Sequence, residues 1–259
     1  MDQIVTSATE GLTRPTASVT LSKAEDPANA TLLFPDPSFV REVEQPFAHS
    51  ELPRTKKPGA LASRALDILF ALGLIIATLP LMLFCALAVR LSGPGPVIFS
   101  QKRIGRFGDE FSCLKFRTMV QNAELAMPAL LEASSAAGFE WSATQKLTND
   151  PRVTGVGRFL RRYCLDELPQ LLNVLAGQMS IVGPRPIVAA EVVRYGPFFI
   201  DYCSVKPGLT GLWQVSGKHL LPYQDRVRLD AAYANSKSVR TDLAILCRTV
   251  PFVLAGKNV

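Results

Sequence analysis

The chain has 259 residues, enough for one ordinary domain with an extension, and its 28 Lys+Arg against 22 Asp+Glu make it net basic. It is 48% hydrophobic and only 19% charged, an apolar balance for a soluble protein that also carries a polar tail. The five cysteines lie far apart without CxxC or Cys/His spacing, which points away from a disulfide framework and from a zinc site. The basic excess fits nucleic acid, anionic lipid or a phosphate-bearing substrate.

Residues 1–58 contain seven of the 19 prolines and many Ser and Thr, with no sustained periodicity. Such a segment cannot bury enough apolar surface to offset the entropy of ordering, so it is expected to be a largely disordered tail. No charged-then-apolar pattern opens the chain, and no signal peptide is expected. The tail ends in a basic cluster, Arg54, Lys56 and Lys57.

Residues 59–92 read as a membrane segment. From Ile68 to Val89 about 22 residues run without a charge, bracketed by Arg64 and Asp67 before and Arg90 after. A run of that length can cross a bilayer as a helix. Pro80, near its centre, removes a backbone hydrogen bond and crowds the preceding turn. Basic residues favour the cytoplasmic side, and here both flanks are basic: Arg54, Lys56, Lys57 and Arg64 before, Arg90, Lys102, Arg103 and Arg106 after. The expectation is a re-entrant helix-break-helix that returns both ends to one face.

Residues 93–259 read as a cytosolic domain. Gly93 to Pro96 makes a turn, Val97 to Phe99 a short strand, Phe111 to Met119 a second strand, and residues 121–137 a helix. Between Val156 and Pro186 a further helix is expected. Asp166 and Glu167 would open it, Pro169 suits its first turn, Leu168, Leu171, Leu172 and Leu175 form its apolar stripe, and Gly177 suits its C-terminal cap. Taken alone, two acids at a helix start are better explained by the macrodipole than by catalysis. Their neighbours point further: Arg158, Arg161 and Arg162 lie just upstream, and Arg185 is held between Pro184 and Pro186 downstream. Arginines around a carboxylate pair suit a diphosphate with a divalent cation.

Six strings then carry a resemblance: Gln101 to Gly105 (QKRIG), Lys115 to Met119 (KFRTM), Asp150-Pro151-Arg152, Leu165 to Gln170 (LDELPQ), Gly183 to Pro186 (GPRP) and Pro207 to Val215 (PGLTGLWQV). In this order, over about residues 60–250, the chain resembles the bacterial sugar transferase family, the monotopic polyprenyl-phosphate phosphoglycosyltransferases, and within it the short, exopolysaccharide-initiating type. The resemblance implies an α/β fold, mostly helical with a few short strands, seated on the cytoplasmic face of the bacterial plasma membrane. It implies transfer of a hexose-1-phosphate, galactose or glucose, from a UDP-sugar to undecaprenyl phosphate with release of UMP.

Carried over residue by residue, the resemblance makes Asp166 the nucleophile and Glu167 its partner acid, the two together a Mg²⁺ site. It makes Arg185, Arg161, Lys115 and Arg117 phosphate-binding, and Thr210, Trp213 and Gln214 contacts to the nucleotide sugar. Trp213 fits a buried structural role as well as stacking on uracil. Pro80 becomes the break in the membrane helix, with Arg64 and Asp67 as polar anchors at its start. Gln178 departs from the family, where an Asp is common before Met-Ser, and Tyr163-Cys164 replaces small polar residues. The chemistry stands on its own: a carboxylate is ionised at neutral pH and attacks phosphorus without a general base, provided cations neutralise the diphosphate. A reaction at a lipid phosphate places the site at the membrane interface. A non-catalytic membrane adaptor is the alternative reading. A nucleic-acid binder is set aside, since no reading module accompanies the charge. Inner-membrane lipid is the expected surroundings, and a homo-oligomer is left open.

Overall fold

A computed structural model of the chain describes residues 60–254, except 145, 146, 148 and 218–220. The tail expected over 1–58 lies outside them. One helix, α1 (Ala60–Leu91), contains the whole apolar run. It is helical through Pro80 without interruption, so the anticipated break is not a gap in the helix. Thr78 Oγ1 donates to Leu74 O at 2.6 Å, the kind of local back-bond that bends a helix, one turn from the missing proline donor. Most of α1 is exposed and apolar, with Leu69, Ile76, Leu83, Phe84 and Leu87 among its bare side chains. Two patches are buried. Ala71 and Ile75 join a core with Leu171, Val174, Met179 and Ile181, while Cys85 and Val89 pack against Phe116 and Leu160.

Beyond α1 the chain builds a small mixed domain. Strands β1 (Ile98–Ile104) and β2 (Glu110–Phe116) form an antiparallel hairpin, with Ile98 opposite Phe116 and Ile104 opposite Glu110. Both strands exceed or differ from their expected bounds because cross-strand pairing, not local composition, sets where they end. Phe107 and Gly108 take positive φ in the connecting turn, where Gly105 N–H donates to Asp109 O at 2.7 Å. The helix anticipated over 121–137 begins later, as α2 (Met127–Ala133) and α3 (Ser135–Thr144). Asn122, left-handed at φ 59°, keeps the preceding residues in turns, and Pro128 sits in the first turn of α2.

Helix α4 (Gly155–Arg162) starts on Thr154, whose Oγ1 accepts from Gly157 N–H at 2.9 Å. Any Cβ at Gly157 would collide with the Thr118 backbone, so α4 packs directly on the segment after β2. A 3₁₀ turn (Leu165–Glu167) and α5 (Gln170–Leu175) follow. The expected long helix is thus split: the two acids occupy a separate turn, and Pro169 precedes α5. The apolar stripe is also corrected, because Leu172 is exposed and Val174 takes its place in the core. Gly177, at φ +84°, closes α5 as anticipated.

Strand β3 (Ser180–Val182) pairs in parallel with β4 (Gly208–Thr210). Side chains at Gly183 or Gly208 would strike the opposite backbone, so the two segments approach only because both are glycine. Between them run α6 (Val192–Tyr195) and α7 (Phe199–Ser204). The chain closes with α8 (Leu212–Val215), α9 (Tyr223–Ser236) and α10 (Val239–Leu254). A second core of Ile104, Ile187, Tyr195, Tyr202 and Val227 joins the hairpin to α6, α7 and α9. The described part is therefore mostly helical with two short sheets, the α/β character expected.

Candidate active site

The foot of α1 is locked to the domain by the two polar residues that precede its apolar run. Arg64 Nη1 donates to Val174 O at 2.6 Å and Nη2 to Leu175 O at 2.8 Å, capping the last carbonyls of α5. Asp67, buried, accepts from Ser180 Oγ at 2.8 Å and from Ile181 N–H at 2.9 Å. At its other end α1 is held by Arg117, which donates to Val89 O at 2.9 Å, Gly93 O at 2.8 Å and Pro94 O at 2.6 Å. Both ends of α1 therefore bind the same domain.

Helix α5 is fastened to β2 by one buried amide. Asn173 Oδ1 accepts from Leu114 N–H at 3.0 Å, and Nδ2 donates to Ser112 O at 2.8 Å, so the side chain completes the free edge of β2. The same Nδ2 donates to Gln178 Oε1 at 2.7 Å. Gln178 thereby supplies the acceptor expected of an acid at that position. This clamp sets the 3₁₀ turn beside β2, and Lys115 Nζ reaches Glu167 Oε1 at 2.7 Å. Arg185 Nη1 approaches the same oxygen at 3.8 Å. The loop carrying Arg185 is pinned on two sides: Gly183 N–H donates to Thr210 O and Gly208 N–H to Pro184 O, both at 2.8 Å, and Ile104 N–H to Ile187 O at 2.8 Å.

Asp166, next to Glu167, is buried to 8% exposure. Burial raises its pKa above the usual carboxylate range; the Glu167 charge adds to the rise, and Lys115, Arg161 and Arg185 oppose it. Arg161 sits on α4 with Nε donating to Thr118 Oγ1 at 2.9 Å, and its charge favours the Asp166 carboxylate. The residue before the turn, Cys164, adopts a left-handed conformation at φ 55°. Such backbone is costly for a side chain with Cβ, and it turns the chain sharply between α4 and the acids.

A cleft with about 260 Å³ of empty space, its mouth included, opens beside these groups, lined by Arg103, Lys115, Glu167, Arg185 and Gln214 among others. Three cations face one carboxylate across it, which suits an anionic ligand. The structure thus gathers Lys115, Glu167, Arg185 and Gln214 on one surface, with Asp166 and Arg161 packed alongside. It does not bring Arg117 there, since all of that guanidinium's observed bonds go to the end of α1. Thr210 is buried and shares a hydrogen bond with Thr249 Oγ1 at 2.8 Å. Trp213 is buried with the Arg226 guanidinium 4.7 Å above its ring, and it lines the wall behind the cleft rather than the cleft itself.

This arrangement meets a family. A family model described as bacterial sugar transferase matches residues 59–256. The chain belongs to the bacterial sugar transferase family. Among its relatives is the exopolysaccharide production protein ExoY of Sinorhizobium fredii, 42% identical over 212 residues, which cover 82% of this chain and 94% of the relative. The undecaprenyl-phosphate galactose phosphotransferase of Salmonella typhimurium is 42% identical over 219 residues, 85% of this chain and 46% of that longer protein. The UDP-glucose:undecaprenyl-phosphate glucose-1-phosphate transferase of Caulobacter vibrioides is 39% identical over 206 residues, covering 76% and 72%.

One residue of the cleft was passed over in the sequence. Arg103 lines the cleft, donates to Pro186 O at 3.1 Å and lies 3.8 Å from Glu191. Its place in the QKRIG string was the available signal. Behind it, Arg226 lies 3.7 Å from Glu191, and Asp230, almost fully buried, accepts from Tyr195 OH at 2.7 Å. Burial lifts the Asp230 pKa to about 7. Arg103 Nε, Trp213 Nε1, Gln214 Oε1 and Asp230 Oδ1 are buried without a hydrogen-bond partner among the described residues, so this wall is polar.

Proposed function

We propose that this family member transfers a hexose-1-phosphate from a UDP-sugar to undecaprenyl phosphate through a covalent Asp166 intermediate, releasing UMP. The observation that carries the reading is the buried Asp166 with its partly exposed neighbour Glu167, set beside a cleft whose other charged walls are Arg103, Lys115 and Arg185. The relatives' names supply the reaction class, and the charge pattern supplies a place for a diphosphate.

An Asp166 carboxylate oxygen attacks the phosphorus attached to the sugar. The bond from that phosphorus to the bridging oxygen breaks, and UMP leaves with the electron pair. An oxygen of undecaprenyl phosphate then attacks the same phosphorus and displaces Asp166, giving undecaprenyl diphosphate-hexose and restoring the carboxylate. Lys115 and Arg185 hold charge at the diphosphate, while their pull on Asp166 keeps more of it ionised despite its burial. Lys115 also occupies Glu167, which turns that carboxylate away from acting as a second nucleophile.

The two carboxylates fit a hard divalent ion, Mg²⁺, which is satisfied by one or two carboxylates plus substrate phosphate oxygens and water. Among the described residues no cluster of three metal-ligating side chains occurs, so such an ion would depend on the substrate for the rest of its shell. Bound there, it would neutralise the diphosphate and its leaving group.

The membrane arrangement follows the same line. With Arg64 and Asp67 fixing one end of α1 and Arg117 the other, a helix crossing the bilayer would have to leave one attachment on the far side. A re-entrant α1, bent near Thr78 and Pro80, keeps both at the cytoplasmic face of the plasma membrane. An impermeant thiol reagent added to intact cells should therefore leave a cysteine placed in residues 1–58 unlabelled; labelling would mean that α1 crosses.

The chemical reading is tested by incubation with radiolabelled UDP-sugar without acceptor. A phospho-sugar adduct should form on wild-type protein and chase into lipid when undecaprenyl phosphate is added. Asp166→Asn should form none, and an adduct on that variant would remove Asp166 as nucleophile.

A further inference from the structure

At the foot of α1, away from the cleft, lies a cationic cluster that the reaction does not use. Gly177 closes α5 there. A Cβ on it would lie 3.5 Å from Arg64 Nη2 and 3.8 Å from Lys206 Nζ, so the two charged heads flank a single point. Lys206 makes no hydrogen bond or ion pair within the described residues. Burial lowers its pKa, and Arg64, Arg106 and Lys237 lower it further, with only Asp67 opposing. Arg64 has five N–H donors and spends two on α5 carbonyls. Arg106 and Lys237 are already engaged, the first with Ser204 O at 3.1 Å and the second with Tyr233 OH at 2.9 Å and Asp242 at 3.6 Å. Two neighbouring cations, with Asp67 as the acid nearby and no ion pair to Lys206 among the described residues, suit an anion.

The depth of the cluster identifies that anion. Arg64 stands one helical turn before Ile68, where the uncharged run begins, and beyond it Leu69, Phe70, Leu72 and Ile76 are exposed and apolar. With that run in hydrocarbon, Arg64 and Lys206 stand at the level of the headgroups. Residues Arg54, Lys56 and Lys57 add basic charge just upstream in sequence. The anion is not the reacting phosphate, because Arg64 grips the C-terminal end of α5 whereas Glu167 precedes its start. At 1.5 Å per residue that separates the two by about 12 Å.

We propose that Arg64 and Lys206 form a binding site for the phosphate of an anionic phospholipid headgroup, seated over Gly177. The site fixes α1, α5 and the Lys206 loop to the lipid surface and sets the height of the cleft above it. The inference rests on α1 lying in the membrane, not on the identity of the nucleophile.

The experiment uses full-length protein in nanodiscs of phosphatidylcholine alone or with a rising fraction of phosphatidylglycerol, reading thermal unfolding and sugar-phosphate transfer. Wild type should gain in both as phosphatidylglycerol rises. Lys206→Gln should need about fivefold more of it, the factor expected for one lysine at an anionic surface, and Lys206→Arg should restore the response. Arg228→Gln, which removes an exposed charge elsewhere, should behave as wild type. Gly177→Asp, placing a carboxylate at the same point in a residue type that tolerates positive φ, should weaken the lipid dependence. All variants should unfold like wild type in phosphatidylcholine alone if Lys206 has no other structural duty; a Lys206→Gln protein already destabilised there is compared with Gly177→Asp, which does not depend on losing a side chain. Equal curves for wild type with and without phosphatidylglycerol, or equal losses in Lys206→Gln and Arg228→Gln, would overturn the proposal. Protection of wild type by millimolar inorganic phosphate as strong as that by phosphatidylglycerol would show a soluble-anion site and overturn the lipid assignment.

Discussion

Replacing Asp67 by Ala tests whether the start of α1 is held to the domain that follows it by one buried carboxylate. The Asp67 Oδ1 atom accepts from both Ser180 Oγ and Ile181 N–H at β3, and the three residues are buried. In Asp67→Ala both donors lose their acceptor in a place closed to water. An unmet buried donor costs about 1–3 kcal/mol, and the Ser180 hydroxyl can rotate towards another acceptor, so a total of about 3 kcal/mol is expected. For a domain of this size that lowers the melting temperature by about 6–12 °C. Asp67→Asn keeps a carbonyl oxygen able to accept both bonds and should lose only about 1 kcal/mol. Thr78→Ala serves as the control, because the Thr78 hydroxyl bonds within its own helix and not to the domain. The assay is thermal unfolding of detergent-purified protein followed by intrinsic fluorescence. If Asp67→Ala melts no lower than Thr78→Ala, the carboxylate is not what joins α1 to β3.

Three further outcomes concern the acids. Burial and Glu167 raise the Asp166 pKa, so its ionised form opposes folding at neutral pH; Asp166→Asn should melt higher than wild type at pH 7. That advantage should shrink as pH falls through the raised pKa and vanish below the ordinary carboxylate range, and a variant equal to wild type throughout would show that the carboxylate carries no burial penalty. The acid limb of kcat/KM for the donor should lie above the range of an ordinary aspartate, since attack needs the ionised form. Lys115→Gln removes a charge that lowers the Asp166 pKa, so the limb should move to still higher pH and kcat should fall; a limb that stays in place would separate Lys115 from Asp166.

Much of this was legible in the residue order, for reasons that differ by element. The long apolar helix could be read because an apolar run needs no tertiary information, and its polar brackets, Arg64 and Asp67, are the residues that touch α5 and β3. The acids were legible as a pair but not in their setting. A positive-φ Cys164 and the following 3₁₀ turn depend on how α4 meets β2, and no local pattern reports that. Asn173 looked like one more polar residue in a helix, yet it is the clamp between α5 and β2, since only the assembled fold puts a bare strand edge beside it. Leu172 and Val174 exchanged places because a helix of six residues takes its buried face from whichever neighbour it meets, here α1. Arg117 shared a string with Lys115 but lies beyond the end of β2, where the strand's period of two no longer holds, and its bonds go to the end of α1 and the turn after it. Arg103 entered the cleft through the hairpin's pairing with the segment after Arg185, a contact between residues far apart in sequence.

The central claim is that the bond broken in the donor lies within its diphosphate. The most direct measurement is the nucleotide released when detergent-purified protein is given UDP-galactose or UDP-glucose, Mg²⁺ and undecaprenyl phosphate. Phosphoryl-sugar transfer through Asp166 predicts UMP, formed in equal amount with undecaprenyl diphosphate-hexose and absent with Asp166→Asn. Release of UDP would mean that the sugar alone is transferred, and would contradict the account.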